Sequence, residues 1–200
     1  MDLGSPVLDI APAVRGALLQ TLARLEQQVT RRQLAAAAGV APGNASAVIE
    51  ELVAAGLVHE TVAGRSLMVV LNRSHLAAGP VLALAGLRGE LISRLRERLS
   101  SWPDIDSAWL FGSVARGDAG SDSDIDLLIV ADDLRSADLH ERLARLQADV
   151  RSWTGNELQI VEHSSSSWRR LTRAKNPLVQ QIRQDGITLA GEIAPMLQRG

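Results

Sequence analysis

The residues best suited to chemistry lie between positions 112 and 130 of this 200-residue chain. Gly112 and Ser113 follow an apolar segment, and the missing Cβ of a glycine lets a ligand approach the backbone closely. The residues behind them can open a helix, whose free N–H groups favour a phosphate. Asp124 and Asp126 flank Ile125 at the start of a second apolar segment. This combination favours a phosphate-binding site with two carboxylates.

The two aspartates are predicted to share one face of a strand. Because side chains alternate along a strand, Asp124 and Asp126 would lie roughly 6.6 Å apart on the same face, with Ile125 turned to the core. Two unpaired carboxylates repel each other, whereas a shared Mg²⁺ gives each oxygen a hard cation. Two such ions would stabilise the attacking and leaving oxygens of a displacement at phosphorus. The alternative is a Ser/Asp/Gly surface loop without chemistry.

This block resembles the nucleotidyltransferase superfamily that includes DNA polymerase beta, and within it the bacterial minimal nucleotidyltransferases. The matching residues are Gly112, Ser113, Ala115, Arg116, Gly117, Ser123, Asp124, Asp126 and Leu127. Residues 176–192 are similar to the closing segment of the family, although Ala190 stands where a tyrosine is common. The resemblance covers about the last 100 residues.

The resemblance implies a role for each matching polar residue. Gly112 and Ser113 would hold the phosphates of a nucleoside triphosphate, and Asp124 and Asp126 would ligate Mg²⁺, two ions in an active enzyme. Arg116 has two interpretations: it stabilises phosphate charge, or it pairs with Asp118 or Asp122 and shapes the loop.

A third carboxylate of the family is missing at its expected position. It belongs to the strand that here begins at Glu157, and the apolar neighbours align Gln159 with it. A glutamine oxygen is neutral, so it ligates weakly and cannot accept a proton. Either Glu157, one pleat earlier, takes over this catalytic role, or catalysis is impaired while triphosphate binding survives.

The segments around this block alternate between strand and helix patterns, which predicts an α/β unit with a mixed sheet. Strands are expected at 107–111, 125–130, 157–161 and 187–191, and helices at 136–152 and near Trp168 and Pro177. A helix is predicted over 80–100, with Leu84, Leu87, Leu91, Leu95 and Leu99 near heptad spacing. It would connect and pack on the domains or form a homodimer seam.

The amino-terminal part predicts three helices and a β-hairpin. The helices cover 12–28, 31–39 and 42–55, and the strands 57–62 and 66–72 are joined by a glycine-containing turn. This part resembles bacterial winged-helix regulators of the multiple-antibiotic-resistance and arsenical-repressor kinds. The resemblance lies in Leu34, Ala35, Gly39, Val40, Leu52, Gly56, Leu57, Val58, Leu71 and Asn72.

A winged helix binds either double-stranded DNA or a protein partner. Asn44 and Ser46 in the third helix could contact base edges, and Arg31, Arg32 and Arg65 could contact the DNA backbone. Up to Leu76, however, six arginines are balanced by six acidic residues, so the electrostatic contribution to DNA binding would be small.

Composition excludes several other classes of protein. The chain is 46% hydrophobic and 22% charged, with a net charge of −2. It contains no cysteine, which excludes a disulfide scaffold and thiolate chemistry, and its four histidines lack metal-ligand spacing. Neither a signal-peptide pattern nor an apolar run long enough for a membrane span is visible, which predicts a soluble cytoplasmic protein.

We therefore predict an α+β protein with a winged-helix domain (1–75), a connecting helix (76–102) and a nucleotidyltransferase domain of mixed-sheet fold (103–200). Three functions are open. The chain is an enzyme that transfers a nucleotidyl group to a hydroxyl acceptor, a DNA-binding regulator that senses nucleotides, or an antitoxin-like module that binds a protein partner.

Overall fold

The computed structural model describes residues 1–174 and 176–191, so Lys175 and residues 192–200 of the predicted nucleotidyltransferase domain lie outside the described residues. The chain divides into two compact units. One unit comprises residues 4–87 with Asp2, and the other begins at Arg88 and includes Met1 and Leu3. In the described part of the chain, no helix has both the length and the apolar character needed to cross a bilayer.

The first unit contains the three predicted helices and the predicted hairpin, together with a short helix and a short strand that were not predicted. Its elements are α1 (Val7–Ile10), α2 (Ala13–Arg24), β1 (Val29–Thr30), α3 (Arg31–Ala37), α4 (Pro42–Ala54), β2 (Val58–Ala63), β3 (Ser66–Leu71) and α5 (Ala78–Ala85). The three strands form an antiparallel sheet in the order β1–β3–β2.

Local sequence explains the helix start and the hairpin turn of this unit. The Thr30 side chain accepts a hydrogen bond from the Gln33 backbone, and the Gln33 side chain accepts one from the Thr30 backbone, which completes a capping box at the start of α3. Ala63 pairs with Ser66, so Gly64 and Arg65 form a two-residue turn, and Gly64 has the positive φ that such turns require.

The second unit is built around a four-stranded mixed sheet. Its elements are α6 (Leu87–Ser100), β4 (Ser107–Phe111), α7 (Gly112–Arg116), β5 (Ile125–Val130), α8 (Ala137–Thr154), β6 (Leu158–His163), α9 (Ser165–Arg173), α10 (Pro177–Asp185) and β7 (Ile187–Ala190). The strand order is β6–β5–β4–β7, in which β5 and β6 are parallel and the other pairs antiparallel. The predicted α+β class and mixed sheet are confirmed.

The helix predicted over residues 80–100 is instead two helices, α5 and α6, separated at Gly86. Gly86 caps α5, its N–H donating to carbonyl groups of that helix. Leu91, Leu95 and Leu99 are buried in the core of the second unit, which removes these side chains from a dimer seam.

The two faces of the four-stranded sheet carry different cores. One core includes Leu110, Leu127 and Ile129 of the sheet, with Leu95 of α6 and Leu143 of α8. The opposite core includes Trp109, Phe111, Leu128, Val130, Trp168 of α9 and Val179 of α10. Since side chains alternate along β5, Asp126 shares the second face with Leu128 and Val130.

Candidate active site

Gly112 and Asp126 form the centre of the site. Phe111, the last residue of β4, lies opposite Asp126 in the antiparallel register, and Gly112 turns the chain directly into α7 with φ +73°. A Cβ at Gly112 would overlap the Asp126 carboxylate, reaching within 3.0 Å of its Cγ. The glycine is therefore required both by its backbone conformation and by the proximity of the carboxylate.

The electrostatics of Asp126 favour a nearby cation. Its carboxyl group is half-buried, and burial, followed by the negative charge of Asp124, raises its pKa, while Arg116 acts to lower it. Asp124 precedes β5 and is exposed. Two anionic groups that repel each other at the end of a sheet can be stabilised together by a hard divalent cation.

The turn that carries Gly112 is held from outside by Arg88. Its guanidinium Nε donates to the Val114 carbonyl at 2.6 Å, and Nη2 donates to the Ala115 carbonyl at 2.5 Å. Within the turn, Arg116 Nε lies 3.1 Å from Asp118 Oδ2. This ion pair with Asp118 is the contact expected from the second interpretation of Arg116, in which the arginine shapes the loop.

Asn156 supports the loop that leads into Asp124. It is buried, and its side-chain amide donates to the carbonyl groups of Ser123 at 2.9 Å and Ser121 at 3.2 Å. The loop is closed by a further hydrogen bond from the Gly120 N–H to Ser123 Oγ. Sequence reasoning missed both Asn156 and Arg88, because neither belongs to a local motif.

Gln159 lies beside Asp126, whereas Glu157 makes a different contact. In the parallel register of β5 and β6, Gln159 is the direct partner of Asp126. Glu157 precedes β6 and forms an ion pair with Arg151 of α8, with Oε1 at 2.6 Å from Nη1. Within residues 1–174 and 176–191, no group of three acidic or histidine side chains is arranged to hold a metal ion. Thus the described structure brings Asp124, Asp126 and Gln159 together, without a third acid.

The candidate DNA contacts of the first unit are in two different environments. Arg31 forms ion pairs with Glu60 at 2.5 Å and with Glu50 at 3.0 Å, and the hydrogen bond to Glu60 is the main cause of its raised pKa. Ser46 Oγ also lies 3.3 Å from the Glu50 carboxylate. By contrast Arg32, Asn44 and Arg65 are exposed.

The fold and the site together define an α+β domain of the nucleotidyltransferase type. Residues 93–192 match the family described as "Polymerase beta, Nucleotidyltransferase", which is half of the chain. The chain therefore belongs to this family.

Comparison with solved structures gives partial overlaps only. A toxin–antitoxin structure with AMP-PNP is 23% identical, with 55% of this chain and 77% of that chain covered, at a TM-score of 0.35. A mutant of the toxin–antitoxin MntA-HpeT is 24% identical, with coverage of 53% and 74% and a TM-score of 0.35. A MarR-family transcriptional regulator from Rhodococcus sp. RHA1 is 20% identical, with coverage of 50% and 81% and a TM-score of 0.32. No curated protein matches the chain.

Proposed function

We propose that this protein binds a nucleoside triphosphate with Mg²⁺ and transfers its nucleotidyl group slowly to a hydroxyl acceptor. The observation that carries this proposal is the contact between Gly112 and Asp126. It places the backbone of the glycine turn beside the Asp126 carboxylate, whose ionised form is disfavoured by burial and by the charge of Asp124. A phosphate at the turn and a cation at the carboxylate would stabilise each other.

The donor set of the site fits Mg²⁺. Asp124 and Asp126 supply two carboxylates, and Gln159, the register partner of Asp126, supplies a neutral amide oxygen. Oxygen donors of this kind suit hard divalent cations. When bound, Mg²⁺ would polarise the phosphate oxygens and neutralise negative charge that develops during transfer.

The protein groups would position the triphosphate and leave the acceptor without a strong base. Gly112 admits the phosphates to the backbone of the turn, and the Ser113 hydroxyl can donate to a phosphate oxygen. Gln159 cannot take the proton of the acceptor hydroxyl. The Glu157 carboxylate is engaged in an ion pair with Arg151. Slow turnover with intact triphosphate binding follows from these two features.

Pyrophosphate release tests the proposed transfer. The full-length protein would be incubated with Mg²⁺ and each of the four ribonucleoside triphosphates in turn, with and without total cellular RNA and protein as acceptors. We expect slow release that Asp124→Asn abolishes and Arg145→Gln, a remote exposed substitution, leaves unchanged. Release that persists in Asp124→Asn would contradict the proposed site.

A second candidate function is nucleotide sensing without turnover. It is favoured by the same feature from which we expect slow transfer. Gln159, and not an acid, lies beside Asp126 where the third carboxylate is expected. In this case the protein would bind Mg-triphosphate, release no pyrophosphate with any acceptor, and regulate transcription through its first unit.

We further infer that the first unit is a winged helix, because α2, α3 and α4 precede the hairpin of β2 and β3. Arg32, Asn44 and Arg65 are its exposed candidates for DNA contact. A protein partner is the alternative, and the hairpin provides a specific feature for it. Val62 and Leu67 are paired across the hairpin and are 77% and 38% exposed, which leaves an apolar pair at the surface.

Localisation in the cytoplasm remains part of this proposal.

A further inference from the structure

The second unit has a marked separation of charge along its sequence. Residues 88–163 carry nine arginines and fifteen acidic residues. Residues 164–184 carry four arginines and one lysine with no acidic residue. Helix α9 contains three of these arginines, Arg169, Arg170 and Arg173, and all three are exposed. We call these three side chains the arginine face.

The arginine face is one continuous surface of α9. At 100° per residue, Arg169, Arg173 and Arg170 fall within about 100° of one another around the helix. The opposite side of α9 is fixed, because Trp168 and Thr172 are buried and Trp168 packs on Trp109 with ring centroids 5.7 Å apart. The helix is therefore anchored to the sheet while its arginines point to solvent.

These arginines lack the partners that arginines elsewhere in the unit have. Within the described residues, the side chains of Arg169, Arg170 and Arg173 form no hydrogen bond or ion pair. Six other arginines of the unit form ion pairs with a carboxylate: Arg94, Arg98, Arg116, Arg142, Arg145 and Arg151. Three unpaired guanidinium groups on one helical turn repel each other and are stabilised by an external polyanion.

We propose that the arginine face binds the phosphodiester backbone of a single-stranded nucleic acid whose terminal hydroxyl is the acceptor of the nucleotidyl group. Helix α9 covers the sheet face that carries Asp126, since Trp168 and Leu128 share one core. Asp126 and Leu128 are two residues apart, about 7 Å along β5. A strand held on α9 therefore lies on the same side of the sheet as the candidate active site. This identity of the acceptor rests on the proposed function.

A nucleic acid fits this surface better than a protein does. Protein interfaces depend on buried apolar or aromatic anchors at their centre. The large apolar side chains that are well exposed in the described structure all belong to the first unit: Ile10, Val62, Leu67 and Leu76. Phosphate groups need no such anchor, and the planar guanidinium group binds them with two parallel hydrogen bonds. A single strand is favoured over a duplex because its unpaired end can bend into a site.

The transfer itself is a balanced substitution at phosphorus. The oxygen of the terminal hydroxyl forms a bond to the α-phosphorus of the triphosphate. The bond between that phosphorus and the bridging oxygen of the leaving pyrophosphate breaks. The hydroxyl proton passes to solvent, because Gln159 cannot accept it. The nucleic acid leaves longer by one nucleotide.

Binding of a labelled RNA strand of about 20 nucleotides would test the arginine face without any triphosphate. Fluorescence anisotropy would compare the wild type, the triple variant R169Q/R170Q/R173Q and the matched control R94Q/R135Q/R145Q, which removes the same charge elsewhere. We expect the triple variant to lose at least about tenfold in affinity at low salt. Its log–log salt slope should fall by about 2, since each phosphate contact with a single strand contributes about 0.7. The control should bind as the wild type does.

Three further arms define the nature of the ligand. A DNA strand of the same sequence should also bind through the arginine face, because the shared chemistry is the phosphodiester backbone. Poly-glutamate that displaces RNA at equal charge concentration would show an acidic-protein site and overturn the proposal. An unaffected triple variant, or an equal loss in the control, would overturn it as well. D124N/D126N should keep RNA affinity and lose extension of the strand, so failure of the active site is distinguishable from failure of the arginine face.

Discussion

Gln159 lies directly beside Asp126 across the parallel strands β6 and β5. From the resemblance of its motif to the nucleotidyltransferases, an acid is expected at this position. Because of this pairing, a carboxylate introduced at residue 159 would face the same site as Asp126. A substitution at residue 159 therefore tests directly whether the missing acid limits the reaction.

Gln159→Asp should therefore raise pyrophosphate release above that of the wild type. General-base assistance contributes roughly 10²–10⁴-fold where it is fully realised, and a new carboxylate should recover part of this. Glu157→Ala should leave release unchanged, because Glu157 is paired with Arg151. Robust wild-type release that Glu157→Ala abolishes would show that the Glu157 carboxylate is the general base and that the assignment of this position to Gln159 is wrong.

Gly112→Ala should abolish triphosphate binding. The added methyl group would collide with the Asp126 carboxylate, and alanine is strained at φ +73°. Gly120→Ala is a matched control, since a Cβ at Gly120 would meet no atom within 4 Å and its φ is not positive. Calorimetric titration with Mg-triphosphate should show no binding for the first variant and near-native affinity for the second. Equal affinities would contradict the close approach at Gly112.

Asp126→Asn should make the metal-free protein more stable than the wild type at neutral pH. The raised pKa of Asp126 means that folding disfavours its ionised form. The stability contributed by this group is fully present below 3.8, the ordinary pKa of an aspartate, and is lost as the pH rises through the higher pKa of the folded state. The difference in melting temperature should thus grow in favour of Asp126→Asn from acid to neutral pH. Added Mg²⁺ should raise the melting temperature of the wild type only. A difference that is constant with pH would contradict the account.

Arg31→Gln should destabilise the first unit, whereas Arg32→Gln should not. Arg31 is bonded to Glu60, whose side chain is only 18% exposed, and loss of the partner leaves that carboxylate unsatisfied. We expect a cost of about 1–3 kcal/mol in the free energy of unfolding. Arg32 is exposed, so its replacement should change only DNA affinity and the dependence of that affinity on salt. Denaturant unfolding measures the free energy of unfolding of both variants. Equal values would show that the contact of Arg31 with Glu60 does not stabilise the first unit.

The sequence predicts the secondary structure well where apolar residues repeat with a clear period. β4 and β5 have their predicted bounds, because both are short apolar runs bordered by polar residues. The break between α5 and α6 was missed, since the leucine spacing continues through Gly86 although the backbone does not remain helical.

Only the local part of the site could be predicted from its motif. Gly112, Asp124 and Asp126 are close in the chain, and their spacing indicates their placement. Asn156 and Ser123 are 33 residues apart and meet only because β5 and β6 are neighbours in the sheet. The same holds for Arg88, which reaches Val114 from another helix. Such contacts depend on tertiary packing and leave no local pattern in the sequence.

The central claim is that Asp124 and Asp126 bind a triphosphate through Mg²⁺ beside Gly112. Isothermal titration of the wild type and of D124N/D126N with a non-hydrolysable Mg-triphosphate tests it most directly. We predict binding by the wild type that requires Mg²⁺, and a loss of at least about tenfold in the double variant, since even outer ligands of metal sites contribute 10–100-fold. Unchanged affinity in the double variant, with a native melting profile, would contradict the claim.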